Sequence, residues 1–368
     1  MNTKIENILK DIRDTYVEDK RPWILGFSGG KDSTVLLKLV YNAIGSLPKK
    51  KLTKKIHVIC CDTKVEPPNI LEYLENTLKI IRKSASRESL PIIVKGLYPK
   101  VSDRFFANLV GRGYPSPNKW FRWCTDRLKI RPSTEYIKSI ASREEVVILL
   151  GIRNNESSNR NKTMENYKIR NSKFNKHISI KNALVYAPIK ALETNEIWAI
   201  LTEPAPWGGN HKHIRFLYKQ ANGNECPLIF DRSSPSCGGS RFGCWVCTVI
   251  EKDKSMEGFI EFGGETWMQP LLYFRNYIAA KRNDLSCREE KRRNGLKGPG
   301  PFKLSFRIEL LKKLIEIESK INMTLIEDEE KKRIEYLWSL DGYKGKSINQ
   351  IENEIKNMIH FNNSNFLQ

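Results

Sequence analysis

The sequence predicts an α/β protein: a parallel sheet with helices on both faces, followed by a cysteine-rich region and a helical carboxyl-terminal tail. Three observations carry that expectation. Short β-rich runs alternate with helical patterns in the first half, a glycine turn joins the first run to a helix, and the last stretch carries apolar residues at helical spacing. Strands alternating with helices pair in parallel and are covered on both faces, so they read as continuous apolar runs.

The runs are "PWILGFS" (22–28), "KIHVICCDT" (55–63), "LPIIVKGL" (90–97) and "EEVVILLGI" (144–152), with helices expected at 32–44, 68–87 and 130–142. Ligands of such sheets lie at the carboxyl ends of the strands. Ser28 to Ser33, Cys61 to Glu66 and Gly151 to Arg160 fall there. Residues 154–182 are polar, Asn-rich and basic without a sustained period, which reads as a long loop. In "PIKALETNEIWAIL" (188–201) the spacing predicts a short helix with Thr194 as N-cap and Trp198 buried. Pro and Gly cluster in "TEPAPWGGNHK" (202–212) and mark a boundary. The chain thus divides into an α/β domain over 1–205, a cysteine-rich and basic region over 206–300, and amphipathic helices over 301–368.

Its 63 Lys and Arg against 42 Asp and Glu give a formal charge of +21, a surface that attracts polyanions such as nucleic acid. Lysines and arginines of 160–181 and 281–307 are the candidates for phosphate contacts. No run of about 18 apolar residues occurs, and "MNTKIENILKDIRD" is a charged amphipathic helix without a signal-peptide core. A cytoplasmic protein that does not contact membrane is expected. Eight cysteines in such a chain point to metal before disulfides.

A glycine turn that opens a helix after a strand presents backbone N–H groups and the positive end of the helix dipole, which suits phosphate. "SGGKDS" (28–33) is not the G-x-x-x-x-G-K-[ST] loop: Gly26 to Gly30 is one residue short, and Asp32 stands where a magnesium-binding hydroxyl is needed. It instead resembles the PP-loop of the adenine nucleotide α-hydrolase superfamily. That resemblance implies that Ser28, Gly29, Gly30, Lys31, Asp32 and Ser33 cradle the pyrophosphate of ATP, with Asp32 near Mg2+. "CDTKVEPPNILEYL" (61–74) is similar to a segment of the phosphoadenylyl-sulfate reductase branch, which makes Asp62 and Thr63 candidates on the adenosine side. "GIRNNESSNR" (151–160) resembles another loop of that branch, so Arg153, Glu156, Ser157 and Arg160 become candidate ligands of the nucleotide or transferred group. Permanently ionised arginines suit phosphoryl charge.

"SPSCGGSRFGCWVCTVIEKDKS" (234–255) holds Cys237, Cys244 and Cys247, and a C-x-x-C pair brings two thiolates onto one ion or cluster. Cys124, in "KWFRWCTDRLKIRP", is the fourth ligand by likeness to the reductase branch, with Cys226 in reserve. Spacing leaves zinc and a [4Fe–4S] cluster both open; the resemblance favours the cluster. Cys60 and Cys61 read as buried small residues, and Cys287 receives no role.

Together "WCTDRLKI", the cysteine segment and the PP-loop resemble the DndC family of DNA phosphorothioation, over about residues 15–305, with the SspD proteins as near relatives. The resemblance implies an ATP pyrophosphatase that adenylylates a DNA phosphate for sulfur to displace AMP. Lys31, Asp32, Arg153 and Arg160 would be catalytic, with ATP, Mg2+ and [4Fe–4S] as cofactors. Expected partners are DNA, a cysteine desulfurase and DndD- and DndE-like proteins. Three alternatives compete. A phosphoadenylyl- or adenylyl-sulfate reductase ends in a catalytic cysteine, and none follows Cys287 here. A tRNA thiolase fits the charge but not "GCWVC". A zinc-stabilised nucleic-acid binder leaves the PP-loop unexplained.

Overall fold

The computed structural model describes residues 2–154, 166–221 and 243–365. They fall into two compact units, each assembled from separate stretches of chain. The first comprises Met1–Asp62, Pro68–Leu97 and Arg131–Phe242; the second comprises Thr63–Pro67, Tyr98–Ile130 and Gly243–Gln368.

The first unit is built on a six-stranded sheet of order β3-β2-β1-β4-β6-β5. Its strands are β1 (Trp23–Gly26), β2 (Ile56–Cys61), β3 (Ile92–Leu97), β4 (Val146–Leu149), β5 (Asn175–Lys176) and β6 (Ala183–Tyr186). All neighbours run parallel except β5, which is antiparallel to β6. Helices α1 (Asn2–Glu18), α2 (Lys31–Gly45), α3 (Pro68–Arg87) and α4 (Arg131–Ala141) connect or flank the strands. Successive residues of a strand face opposite sides, and β1 shows both covers. Ile24 joins Ile137 and Ala141 of α4 in one apolar cluster, while the Trp23 ring meets Tyr16 of α1 edge-on at 5.2 Å. The four strands and three helices expected between residues 22 and 152 form within three residues of the expected bounds.

Two strands were not foreseen. β6 has four residues, too few to show a period, and β5 lies inside the stretch read as loop. Asn175 and Lys176 have little intrinsic strand preference. Their pairing with Val185 and Leu184 of β6 decides their conformation. The helix expected near Thr194 is α5 (Thr194–Ile200), followed by α6 (Lys212–Ala221). Its N-cap is Glu193, one residue earlier than expected, because Glu193 and Glu196 form a reciprocal capping box. Trp198 is buried as expected.

The second unit is helical: α7 (Lys254–Phe262), α8 (Gln269–Ala280), α9 (Leu304–Ile321), α10 (Asp328–Leu340) and α11 (Ile348–Asn365). π-helical turns occupy Ala107–Gly111 and Asp126–Ile130. Phe106, Trp245 and Phe274 form an aromatic triangle with centroids 6.0 to 6.4 Å apart. Trp338 is buried and donates its indole N–H to the Val110 carbonyl at 2.9 Å, tying α10 to the first π-turn. Among the described residues no helix is long and apolar enough to cross a membrane.

Candidate active site

The glycine turn lies where β1 ends and α2 begins, at the carboxyl edge of the sheet. Gly29 has φ +72°, and a Cβ there would lie 2.3 Å from Leu74 Cδ2 on α3, so both backbone and space require glycine. Gly30 is the N-cap of α2. The turn is closed by its own serines. Ser28 N–H donates to Ser33 Oγ at 3.2 Å, the two hydroxyls lie 3.1 Å apart, and Ser33 donates to the Gly30 carbonyl at 3.0 Å.

Lys31 and Asp32 then occupy the first turn of α2, where the dipole favours anions. The Lys31 ammonium is 3.0 Å from Asp32 Oδ2, and Arg153 Nε is 2.7 Å from Asp32 Oδ1. Arg153 is buried just past β4, and its Nη1 donates to the Thr194 hydroxyl at 2.9 Å. Thr194, expected to cap a helix, positions an arginine instead. Gly151 makes this approach possible: a Cβ there would lie 3.1 Å from the Asp32 carbonyl group. Tyr218 of α6 was not foreseen. Its hydroxyl accepts from Lys31 N–H at 3.4 Å, and its ring centroid lies 5.7 Å from the Lys31 ammonium. Nothing in the sequence links two residues 187 positions apart.

One carboxylate between two cations, at a helix N-terminus, fits an ion-and-phosphate site. Magnesium takes one or two carboxylates and completes its shell with substrate oxygens and water, a requirement that a single carboxylate such as Asp32 would meet. Asp62, just past the end of β2, belongs to the same unit, and its N–H donates to the Leu97 carbonyl at 3.0 Å. Glu156, Ser157 and Arg160 lie outside the described residues.

In the second unit, three of the expected cysteines come together. Cys247 N–H donates to the Cys244 carbonyl at 2.9 Å, closing the C-x-x-C turn, and Trp245 N–H donates to the Val65 carbonyl at 3.0 Å. The Cys247 carbonyl accepts from buried Arg275 Nε at 2.8 Å. Burial pushes the Cys244 thiol up to about 12, with the Glu66 carboxylate adding to the rise. Burial also raises Cys124, and the charge of Cys247 reaches both Cys124 and Cys244.

Thr63, expected beside adenosine, is fully buried here instead. Its hydroxyl lies 3.3 Å from Cys244 Sγ and donates to Glu66 Oε1 at 2.9 Å. Lys129 approaches the same carboxylate at 3.4 Å. Glu66 lies in "CDTKVEPPNILEYL" and Lys129 in "WCTDRLKI", but the sequence assigned neither a role, because nothing local places them beside Cys244.

Among the described residues no three His, Cys, Asp or Glu side chains converge as a single metal ion requires. An iron–sulfur cluster spreads its thiolate ligands over several irons. Three half-buried cysteines, with Cys124 and Cys244 each within reach of the Cys247 charge, fit that donor set. Cys237 and Cys226 lie outside the described residues. Cys60 is buried as expected, and the Cys61 sulfur lies 3.1 Å from Ser133 Oγ.

A parallel sheet with a strand–glycine turn–helix bearing Lys and Asp at its carboxyl edge defines a PP-loop type of α/β protein. A model of the phosphoadenosine phosphosulfate reductase domain matches residues 22–250, and the chain belongs to that family. The uncharacterized protein MJ0066 of Methanocaldococcus jannaschii is 28% identical over 247 residues, 67% of this chain and 40% of the relative. The chain therefore spans two fifths of that curated relative's length. Among solved structures, phosphoadenylyl-sulfate reductase from Candida auris in a phosphate complex is 12% identical, covering 54% of this chain and 84% of that chain, with TM-score 0.33. The U34-tRNA thiolase NcsA from Methanococcus maripaludis with its [4Fe-4S] cluster is also 12% identical, covering 76% and 80%, with TM-score 0.35.

Proposed function

We propose that this chain is an ATP pyrophosphatase that activates a DNA phosphodiester for replacement of a non-bridging oxygen by sulfur. The observation that carries the reading is the Lys31–Asp32–Arg153 constellation at the start of α2. The phosphate oxygen attacks the α-phosphorus of ATP, and pyrophosphate leaves. A persulfide sulfur then attacks the adenylylated phosphorus, and AMP leaves with its oxygen. A thiol reductant takes the remaining sulfur–sulfur bond.

Lys31 and the loop N–H groups would hold the departing pyrophosphate, and Asp32 the magnesium that neutralises it. Arg153, fixed by Thr194, orients Asp32 and supplies positive charge beside it. Asp62 would meet the adenosine, with Glu156, Ser157 and Arg160 as further contacts. Cys124, Cys237, Cys244 and Cys247 would hold a [4Fe–4S] cluster, one thiolate to each iron. A cysteine desulfurase would provide the persulfide, and DndD- and DndE-like proteins would complete the assembly.

The family match favours a second reading, reduction of a sulfonucleotide. The two are separated by product. Release of AMP and pyrophosphate from ATP, stimulated by DNA, supports the first. Sulfite release from phosphoadenylyl sulfate without ATP cleavage overturns it. Iron, acid-labile sulfide and zinc measured on the same anaerobic sample test the cysteine site. About four irons and four sulfides per chain are expected of a complete cluster.

A further inference from the structure

Three arginines of the second unit lie close enough to a fourth, Arg112, for their charges to reach it. The charges of Arg127, Arg333 and Arg293 all bear on Arg112, and they lower its affinity for its proton together with burial, the larger cause. Arg293 donates to the Arg112 main-chain carbonyl. Arg127 donates to the Tyr114 hydroxyl at 3.4 Å and pairs with Asp103. The Nε atoms of Arg112 and Arg333 are buried with no hydrogen-bond partner among the described residues. Arg333 lies 4.9 Å from the Tyr336 ring centroid. The Asp103 carboxylate reaches this group, and Arg127 holds it.

Guanidinium groups repel one another, and their desolvated N–H groups cost free energy when left unbonded. An oxyanion that accepts several N–H bonds removes both costs. Beside the cluster stands an aromatic turn, with the Phe121 ring 6.2 Å from that of Tyr114. Asn118 Oδ1 accepts from the N–H groups of Trp120 and Phe121 at 2.8 and 2.7 Å and fixes this turn. Trp120 at its tip is 95% exposed, between Lys119 and Arg122, both exposed. A large apolar ring held in water on an ordered turn among cations suits an unpaired base.

We propose that Arg112, Arg127, Arg293 and Arg333 form a phosphate clamp for a single-stranded nucleic acid, and that Trp120 stacks on a base of the same strand. The inference rests on the nucleic-acid reading above and names where that substrate is gripped. The strand's backbone supplies an oxyanion to the cluster, and the charge of +21 draws it in.

The test is anisotropy of a fluorescein-labelled 20-nucleotide oligothymidylate, titrated with the whole chain at several salt concentrations. Arg112→Gln combined with Arg333→Gln is expected to weaken binding at least tenfold. It should flatten the salt dependence by roughly 0.7 for each phosphate no longer neutralised. Trp120→Ala is expected to weaken binding roughly five- to a hundredfold, with the salt slope unchanged because stacking releases no counterion. Should the double variant fail to fold, Arg293→Ala and Trp120→Ala alter exposed side chains and carry the same test. An unchanged affinity in the variants overturns the clamp while leaving the nucleic-acid reading intact. No binding by the unaltered chain overturns both. Preference for duplex, insensitive to Trp120→Ala, overturns single-strand stacking. Oligouridylate in parallel tells ribose from deoxyribose strands.

Discussion

Asp32 in the first unit and Glu330 in the second are both shielded carboxyls, yet their surroundings treat them oppositely. Asp32 lies between two cations, at 3.0 Å from Lys31 and 2.7 Å from Arg153. Glu330, 3% exposed on α10, accepts from the Ala107 N–H at 2.8 Å. Burial dominates there, and the charge of Arg104 offsets it only in part, so the carboxyl is pushed up to about 7. The first arrangement concentrates charge at a helix start where a charged ligand can exchange partners. The second is a carboxyl that keeps its proton up to about pH 7 and joins α10 to a π-turn, a structural use of the same functional group.

Asp32→Ala should separate the two carboxyls most strongly. It leaves Lys31 and buried Arg153 facing each other without their carboxylate, a change that costs about 3–5 kcal/mol when a buried pair loses one member. Pyrophosphate release from ATP should fall by roughly two to three orders of magnitude, the usual scale for one preorganised charged group. Iron and sulfide content should stay unchanged, because Cys124, Cys244 and Cys247 belong to the other unit. Loss of both together would contradict separate sites.

A smaller effect is expected at Gly29. Gly29→Ala forces a Cβ against Leu74 at positive φ, at a cost of about 1–3 kcal/mol. The strain displaces the turn, so KM for ATP should rise more than the Tm falls. An unchanged KM would mean that the turn does not touch the nucleotide.

Glu330→Gln tests the other half. The folded state holds a proton on Glu330 that the unfolded chain releases near its ordinary value. Stability therefore falls as pH rises from about 4.5 to about 7, and stays lower above that. Glutamine can still accept from Ala107 N–H and never ionises. The variant should match the unaltered protein near pH 5 and exceed it by about 1–3 kcal/mol at pH 8, read by denaturant unfolding. Equal losses at both pH values would show that Glu330 works as a charged group.

The first half of the chain was legible because its strands are apolar runs and its helices start at recognisable turns. "WILG" and "VVIL" admit few other readings. β5 and β6 were hidden because their conformation comes from pairing rather than from local preference. The glycine turn and the cysteine pair could be picked out because their chemistry is local, and Arg153 because its loop resembles one of the reductase branch. Tyr218 against Lys31, Thr194 against Arg153, and Glu66 against Cys244 are long-range pairs that only folding reveals. Thr63 shows the limit most clearly: its segment was recognised, but its hydroxyl faces a cysteine.

The sheet's short last strand has a further consequence. β5 consists of Asn175 and exposed Lys176, and among the described residues its outer side meets a single bridge, from Lys168 to Asn175. Open backbone at a sheet edge invites strands of other molecules, and brief, lysine-bearing edges discourage them. On this side the described residues offer almost no template for self-pairing.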